Sequence, residues 1–474
     1  MKELVKDYAL RQPSYLGDSA RSIPRILLVM VILGGAGGVG YLVYRSRPIR
    51  LEVVSGRPRA IGQDTTIHLK WSSPHGARRV TAAIEQNGAR YVVWEKTEPA
   101  SYVSFLRRQH PPGEAIFTAG KQRAPGLGPG KAKLVIEAVA NDLRAAADRL
   151  EYELPVVLEK PRVSPDSEPV SFRRGGTGIV AFHVGGDWSE AGVRVGRYTF
   201  PSYPAKGQPA RRISLFGYPP DVAEGTEPVV YARNAAGDEA TASFPHYVTR
   251  RGFPRRQLDL TERFVSRVVD ALDPRGSGPL ADRYARINSE MRHANDDALI
   301  ALAQKSSPVR LWKDAFVMLK NGKVESRFGD HRTYRFKGRQ LNPEWHLGVD
   351  LASVRNAPLP AANRGRVLLA GPLGIYGNCV VIDHGLRVQS VYGHLSRIRV
   401  KVGDMVERGQ IIGNTGSTGM AGGDHVHVSL LLGGVFVDPV EWSFQKWMDN
   451  ILMPLLSQLG QDGRPPKPDA PRTL

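Results

Sequence analysis

Along most of this chain, apolar residues gather in short, often alternating stretches divided by Gly- and Pro-rich turns, the pattern of strands with one buried face. Between residues 50 and 160, Thr66-Ile67-His68-Leu69-Lys70-Trp71 and Leu134-Val135-Ile136-Glu137-Ala138-Val139 show it and predict a small β-sandwich. A second set lies between 165 and 248, with Gly178-Ile179-Val180-Ala181-Phe182-His183-Val184 and Pro228-Val229-Val230-Tyr231-Ala232-Arg233-Asn234 as strands. Two immunoglobulin-like β-sandwich modules, 50–160 and 165–248, are the expected architecture. Residues 123–131, with their Pro-Gly repeats, read as an exposed loop.

The period then changes. Over 257–306, Leu260, Phe264, Val265, Val268, Val269 and Leu272 recur at helical spacing, and Leu299 and Leu302 do so again, which predicts a helical connector. Its apolar stripe is expected to pack, although a connector in this place could lie across an active-site groove. The tail, 461–474, combines four prolines with several charges and is expected to be disordered.

One stretch stands apart. Residues 26–44 run for about 19 positions without a charge, enough at about 1.5 Å per residue to cross a bilayer core, and predict a transmembrane helix. About 25 residues precede it and no small-residue cleavage site follows, so it does not read as a cleaved signal peptide. Lys2, Lys6, Arg11, Arg21 and Arg25 come before the segment and Arg45, Arg47, Arg50, Arg57 and Arg59 after it, so charge does not orient it. The Gly34 and Gly38 pair reflects a glycine-rich run more than a helix-pairing motif.

Composition narrows the class. A chain of 474 residues exceeds one ordinary core, and 50 Gly with 35 Pro argue against an all-helical protein. The single Cys379, within Cys379-Val380-Val381-Ile382, excludes an intrachain disulfide and reads as a small buried strand residue. A net charge of +19 favours anionic partners. The basic residues are scattered, with no basic helix, ribonucleoprotein motif or zinc-finger spacing, so nucleic acid is not expected as a partner, whereas an anionic wall or membrane surface fits.

Three short segments carry chemistry: His346-Leu-Gly-Val-Asp350, Tyr392-Gly-His394-Leu395 and His425-Val-His427. Catalytic zinc takes three protein ligands and keeps a fourth position for water, a need that His346, Asp350 and one of the paired histidines would meet. On a strand, His425 and His427 face one side, so one can ligate while the other faces substrate. His346 and Asp350 would lie about 13 Å apart on a straight strand, so the chain must bend between them, and Gly348 is the residue expected to allow it. His384 reads as a structural strand-to-turn residue and Asp424 as a loop cap. Cysteine and Ser-His-Asp mechanisms are disfavoured, because Cys379 lies in an apolar strand and no Gly-x-Ser-x-Gly elbow occurs. A His-Glu-x-x-His helix is also missing.

The stretch from 346 to 442 resembles the lysostaphin/LytM family of peptidoglycan metallopeptidases. The resemblance rests on Trp345-His346-Leu-Gly-Val-Asp350, Gly374-Ile-Tyr-Gly377-Asn378, Tyr392-Gly-His394-Leu-Ser396, Val402-Gly-Asp-Met-Val-Glu-Arg-Gly409, Gly416-Ser-Thr-Gly419 and Gly423-Asp-His425-Val-His427. It implies zinc held by His346, Asp350 and His427, with His394 and His425 as catalytic histidines. It also implies a β-rich fold of the duplicated-hybrid-motif kind over 310–445, and hydrolysis of peptide cross-links. Asn356-Ala-Pro-Leu departs from the more usual Gly-Thr-Pro-Val, at a turn expected to lie away from the metal.

The expected whole is mainly β: a cytoplasmic segment 1–25, an inner-membrane helix, two sandwiches, a helical connector and an external catalytic domain. Peptidoglycan peptides are the expected substrate, with cell-wall or division proteins as partners of the sandwiches. A non-hydrolytic scaffold that activates other wall hydrolases is the competing reading. A biotinyl or lipoyl carrier, suggested by Val402-Gly-Asp-Met-Val, fails because Asn414-Thr-Gly-Ser-Thr offers no lysine.

Overall fold

A computed structural model describes residues 28, 30–41, 49–54, 57–100, 110–142 and 145–460. The expected cytoplasmic segment 1–25 and tail 461–474 lie outside the described residues. The molecule is mainly β, as the strand patterns predict, with a few helices.

The membrane expectation is overturned. Among the described residues no helix is long and apolar enough to cross a membrane. The helix in the N-terminal apolar run is described over 30–41, about 18 Å at about 1.5 Å per residue, against a hydrocarbon core of about 30 Å. Composition supplies the reason. Gly34, Gly35, Gly37, Gly38 and Gly40 interrupt the run. Each disfavours helix by about 1 kcal/mol relative to Ala and adds no apolar side chain. The inner-membrane, single-pass placement falls with it.

Two compact units make up the chain, 1–158 with 235–238, and 159–234 with 239–474. In the first, a three-stranded sheet (Arg50–Val53, Thr65–Ser72, Gly113–Ala119) and a four-stranded sheet (Ala89–Thr97, Ala77–Gln86, Gly130–Ala140, Ala147–Val156) share one apolar core. Thr65–Ser72 alternates inward Ile67, Leu69 and Trp71 with more exposed partners, the period-two burial its sequence predicts. The expected loop at 123–131 is largely exposed, with Ala124 and Leu127 turned inward as anchors, fully buried in that core.

The second unit carries two more four-stranded antiparallel sheets, then the helices, then an eight-stranded sheet. Strand Arg255–Leu260 runs parallel to Asp330–Phe336, and the helices follow at Glu262–Leu272, Leu280–Arg286 and Arg292–Ala303. Thr261 caps the first of them, its side chain accepting from Phe264 N, and Val265, Val268 and Val269 form its buried stripe.

In the large sheet the main strands are ordered Lys323–Ser326, Val349–Ala352, Val426–Leu432, Val388–Gly393, Asn378–Asp383, Gly365–Pro372 and Met405–Val406. Both faces are buried. Val380, Ile382, Val388 and Val428 join the large core shared with the preceding sheets, while Cys379, Val381, Val391 and Leu431 alternate onto the face covered by the helices. Cys379 is therefore the small buried strand residue expected, and burial pushes its thiol up.

Candidate metal centre

Register brings the chemistry together. Antiparallel pairing sets Asp350 directly opposite His427, and on the other flank of the same strand Gly393, beside His394, also faces His427. Directly opposed residues hold their Cβ atoms about 5 Å apart, so three sequence-distant segments meet by strand pairing alone. His346 ends a strand of a different sheet, Glu344–His346, which pairs with Asp330–Phe336. Leu347-Gly348 is the step from one sheet to the next.

The chain bends at Gly348, as expected, and the glycine is required for a second reason as well. Its backbone is not left-handed, but a Cβ there would lie 2.5 Å from His427 Cε1 and Nε2 and 2.7 Å from Ser429 Oγ. The glycine makes room for the imidazole.

The hydrogen bonds fix every tautomer, because a carbonyl oxygen can only accept. His346 Nδ1–H donates to Arg327 O (2.9 Å), leaving its Nε2 lone pair inward. Ser429 Oγ–H donates to Leu347 O (2.7 Å), so Ser429 Oγ accepts from His427 Nε2–H (2.8 Å) and the Nδ1 lone pair of His427 faces inward. Two imidazole lone pairs and Asp350 Oδ1 then meet, with His346 Nε2 3.0 Å and His427 Nδ1 2.9 Å from Asp350 Oδ1, and 3.1 Å between the two nitrogens. Three buried acceptors this close repel one another unless a cation sits between them. Ligands placed tetrahedrally about 2.0–2.1 Å from an ion lie about 3.3 Å apart, close to the spacing present. His346, Asp350 and His427 could hold a metal ion.

Electrostatics agree. Arg332 Nη2, 3.4 Å from Asp350 Oδ2, occupies the carboxylate oxygen that faces away from the imidazoles. Burial, opposed by Asp350, depresses His427 to about 4, which keeps its imidazole neutral and able to ligate.

His394 and His425 stand beside this trio, with ring centroids 4.8 Å apart. His394 Nδ1–H donates to Thr418 O (2.9 Å) and His425 Nδ1–H to Gly423 O (2.9 Å), so both turn an Nε2 lone pair outward from those loops. His394 adopts a left-handed backbone, φ +68°, a strained conformation held by His394 N–H donating to Tyr376 O (2.7 Å). Burial, then His425 and His427, depress it to about 3.

All five residues line one cavity of about 220 Å³, together with Arg332, Trp345, Tyr376 and Met420 and with residues of the helices. Ser429, which holds His427 from behind, could have been found from the sequence, being two positions beyond His427 on the same strand face. Tyr376 lies within the quoted Gly374-Ile-Tyr-Gly377 segment, whereas nothing singled out Arg332 or the helix residues as part of a site. His384 is separate and structural: fully buried, it donates from Nδ1 to Arg364 O (2.8 Å) and pairs through Nε2 with Ser390 Oγ (2.7 Å). Asp424 caps its loop, accepting from Thr415 Oγ1 (2.6 Å) and Asn356 N (3.1 Å).

Comparison with known proteins agrees with this geometry. Residues 344–439 match the sequence profile of Peptidase family M23. The DD-carboxypeptidase/endopeptidase Mpg of Neisseria meningitidis is 38% identical over 95 residues, 20% of this chain and 22% of its own length. The peptidoglycan DD-endopeptidase ShyA of Vibrio cholerae is 38% identical over 104 residues, 21% of this chain and 24% of its own. The chain thus spans about a quarter or less of the length of these relatives. Among solved structures, the catalytic domain of lysostaphin from Staphylococcus simulans aligns at 29% identity, covering 29% of this chain and 95% of that one, with a TM-score of 0.23. The His-x-x-x-Asp and His-x-His segments that meet in the cavity both fall inside the matched stretch, and residues 344–439 of this chain are a peptidase family M23 domain.

Proposed function

We propose that this protein is a zinc endopeptidase that hydrolyses the peptide cross-links of bacterial peptidoglycan. The observation that carries the reading is the convergence of two imidazole lone pairs and a carboxylate oxygen within 3.1 Å of one another, every other polar atom of the two rings being committed. The family match and relatives named as peptidoglycan DD-endopeptidases support it. In this reading His346, Asp350 and His427 are the ligands, and His394 and His425 handle protons.

Zinc held by the three ligands would supply a Lewis acid for the scissile carbonyl and acidify water toward neutrality. Two neutral imidazoles and one carboxylate leave that site near +1, which favours such acidification. The chain's own residues do the rest. His394 and His425 are fixed by the carbonyls of Thr418 and Gly423, which leaves an unprotonated Nε2 on each, able to take a proton from the attacking water. The imidazolium so formed is then a donor to the leaving amide nitrogen. Arg332 and Ser429 keep the ligands in orientation.

Further proposals concern the rest of the chain. Residues 310–445 are read as the catalytic domain and 257–306 as a connector. The regions 50–160 and 165–248 are read as immunoglobulin-like modules that meet cell-wall or division proteins, a reading supported by antiparallel sheets around shared apolar cores.

Purified peptidoglycan incubated with the full chain provides the test, with released muropeptides resolved by mass spectrometry. Cross-linked dimers should convert to monomers, a chelator should stop the conversion, and added zinc should restore it. Intact dimers, or conversion indifferent to the chelator, would overturn the proposal.

A further inference from the structure

One wall of the cavity over the candidate metal centre comes from outside the family domain. Phe264, Tyr284, Arg292 and Asp296 belong to the helices between 262 and 303, whereas the match begins at 344. Those helices are fastened to the loops beside the centre. Ile375 N donates to Asn295 Oδ1 (2.9 Å), and Arg267 donates to Ser417 O (3.2 Å) and to Ala421 O. The wall is therefore built into the cavity, and its side chains are presented to whatever the cavity binds.

Asp296 stands in that wall with no ion pair, the charges of Arg292 and His293 reaching it only from beyond ion-pair distance. Its carboxylate meets the Tyr376 hydroxyl at 3.5 Å, and no ion pair forms with it among the described residues. Arg292, one helical turn earlier, is committed elsewhere. It donates from Nε to Asn288 O (3.1 Å) and from Nη2 to Asn288 Oδ1 (2.9 Å), and the carboxylate it approaches, at 4.0 Å, is that of Glu344. Two carboxylates thus share one guanidinium. Burial pushes Asp296 up to about 6 against the charges of Arg292 and His293, the mark of negative charge held away from water with too little compensation.

A half-buried carboxylate of this kind destabilises the fold unless a cation reaches it, so its presence in a cavity wall points to a ligand that brings one. Wall peptides are cross-linked through the amines of diamino acids, and an unlinked stem keeps its amine free and protonated. A metal ion is a poorer occupant, since a single carboxylate and a phenol offer too few donors.

We propose that Asp296 is a specificity residue that binds a primary ammonium group of the wall peptide, the free amine of an unlinked diamino acid. The proposal rests on the peptidase reading above and adds to it a substrate feature read by residues outside the family domain.

The test uses the full zinc-loaded chain and two substrates, a cross-linked wall peptide with its free amine and the same peptide after N-acetylation. The wild type should cleave the free-amine peptide with kcat/KM higher by about tenfold or more, mainly through KM, the size expected of one charge-assisted hydrogen bond. Asp296→Asn should bring the ratio toward one, and Asp296→Glu should restore part of it. The wild-type comparison needs no variant, so misfolding cannot mask the result. Equal cleavage of both peptides by the wild type, or a preference retained by Asp296→Asn, overturns the proposal while leaving the peptidase reading intact. Cleavage of neither peptide overturns both.

Discussion

Each imidazole in the cavity has one nitrogen tied to a carbonyl or a hydroxyl and one left open, and under the proposed function the two that meet Asp350 are ligands and the other two proton carriers. His394→Ala and His425→Ala should each lower kcat by about 10²–10⁴, the usual worth of a positioned general base, while zinc content measured by atomic emission stays near one per chain. Ser429→Ala removes the acceptor that orients His427 and should weaken zinc binding by about 10–100-fold in a competition titration. A similar loss is expected of Gly348→Ala, since the added methyl meets the imidazole ring. Unchanged affinity in either variant would show that the orientation of His427 is set elsewhere. At this scale the sequence was informative where spacing mattered. His346, Asp350, His394, His425 and His427 all line the cavity and the chain bends at Gly348 as expected, but the second need for that glycine was not legible, because the clash that forbids a side chain there comes from residues about 80 positions away. Asp296 had no motif around it and nothing singled out Arg332 within the 326–334 stretch, so only the folded chain shows what they face.

Strand pairing explains why five residues from three segments arrive at one place: the register Asp350 to His427 to Gly393 spans three adjacent strands. These strands are buried at nearly every position and show no period-two alternation, because the large sheet is covered on both faces. The helices were legible from their spacing, but where they pack depended on contacts with loops far along the chain. Asn295 shows the dependence. It is buried and accepts from Ile375 N, so Asn295→Ala leaves a buried N–H unpaired and should cost about 1–3 kcal/mol in denaturant unfolding. A loss below about 0.5 kcal/mol would mean that the helix is not fastened there. The 123–131 loop is exposed over most of its length as expected, but Pro and Gly signal turns without saying whether an intervening Ala124 or Leu127 is turned inward.

At the scale of the whole molecule, the uncharged N-terminal run was long enough on paper, but its glycines leave no described helix able to span a bilayer. Acid stability is a property of this scale that the buried core does set. Burial depresses His384 from 6.5 to about 4, so the unfolded chain binds an additional proton between those values. The stability this neutral side chain allows is complete above pH 6.5 and falls as pH drops toward 4, by about 3 kcal/mol in all. His384→Gln should flatten that acid limb in unfolding experiments, and an unaltered slope would exclude His384 as its source.

The central claim is that one metal ion, held by His346, Asp350 and His427, makes this protein a hydrolase of peptide cross-links. Titrating metal-stripped full-length protein with zinc while following both bound metal and muropeptide release tests it most directly. Cleavage should rise in step with occupancy and level off at one tightly bound ion per chain, with His427→Ala showing neither the binding nor the activity. Full cleavage by the stripped protein, or tight zinc uptake by His427→Ala equal to that of the wild type, would contradict it.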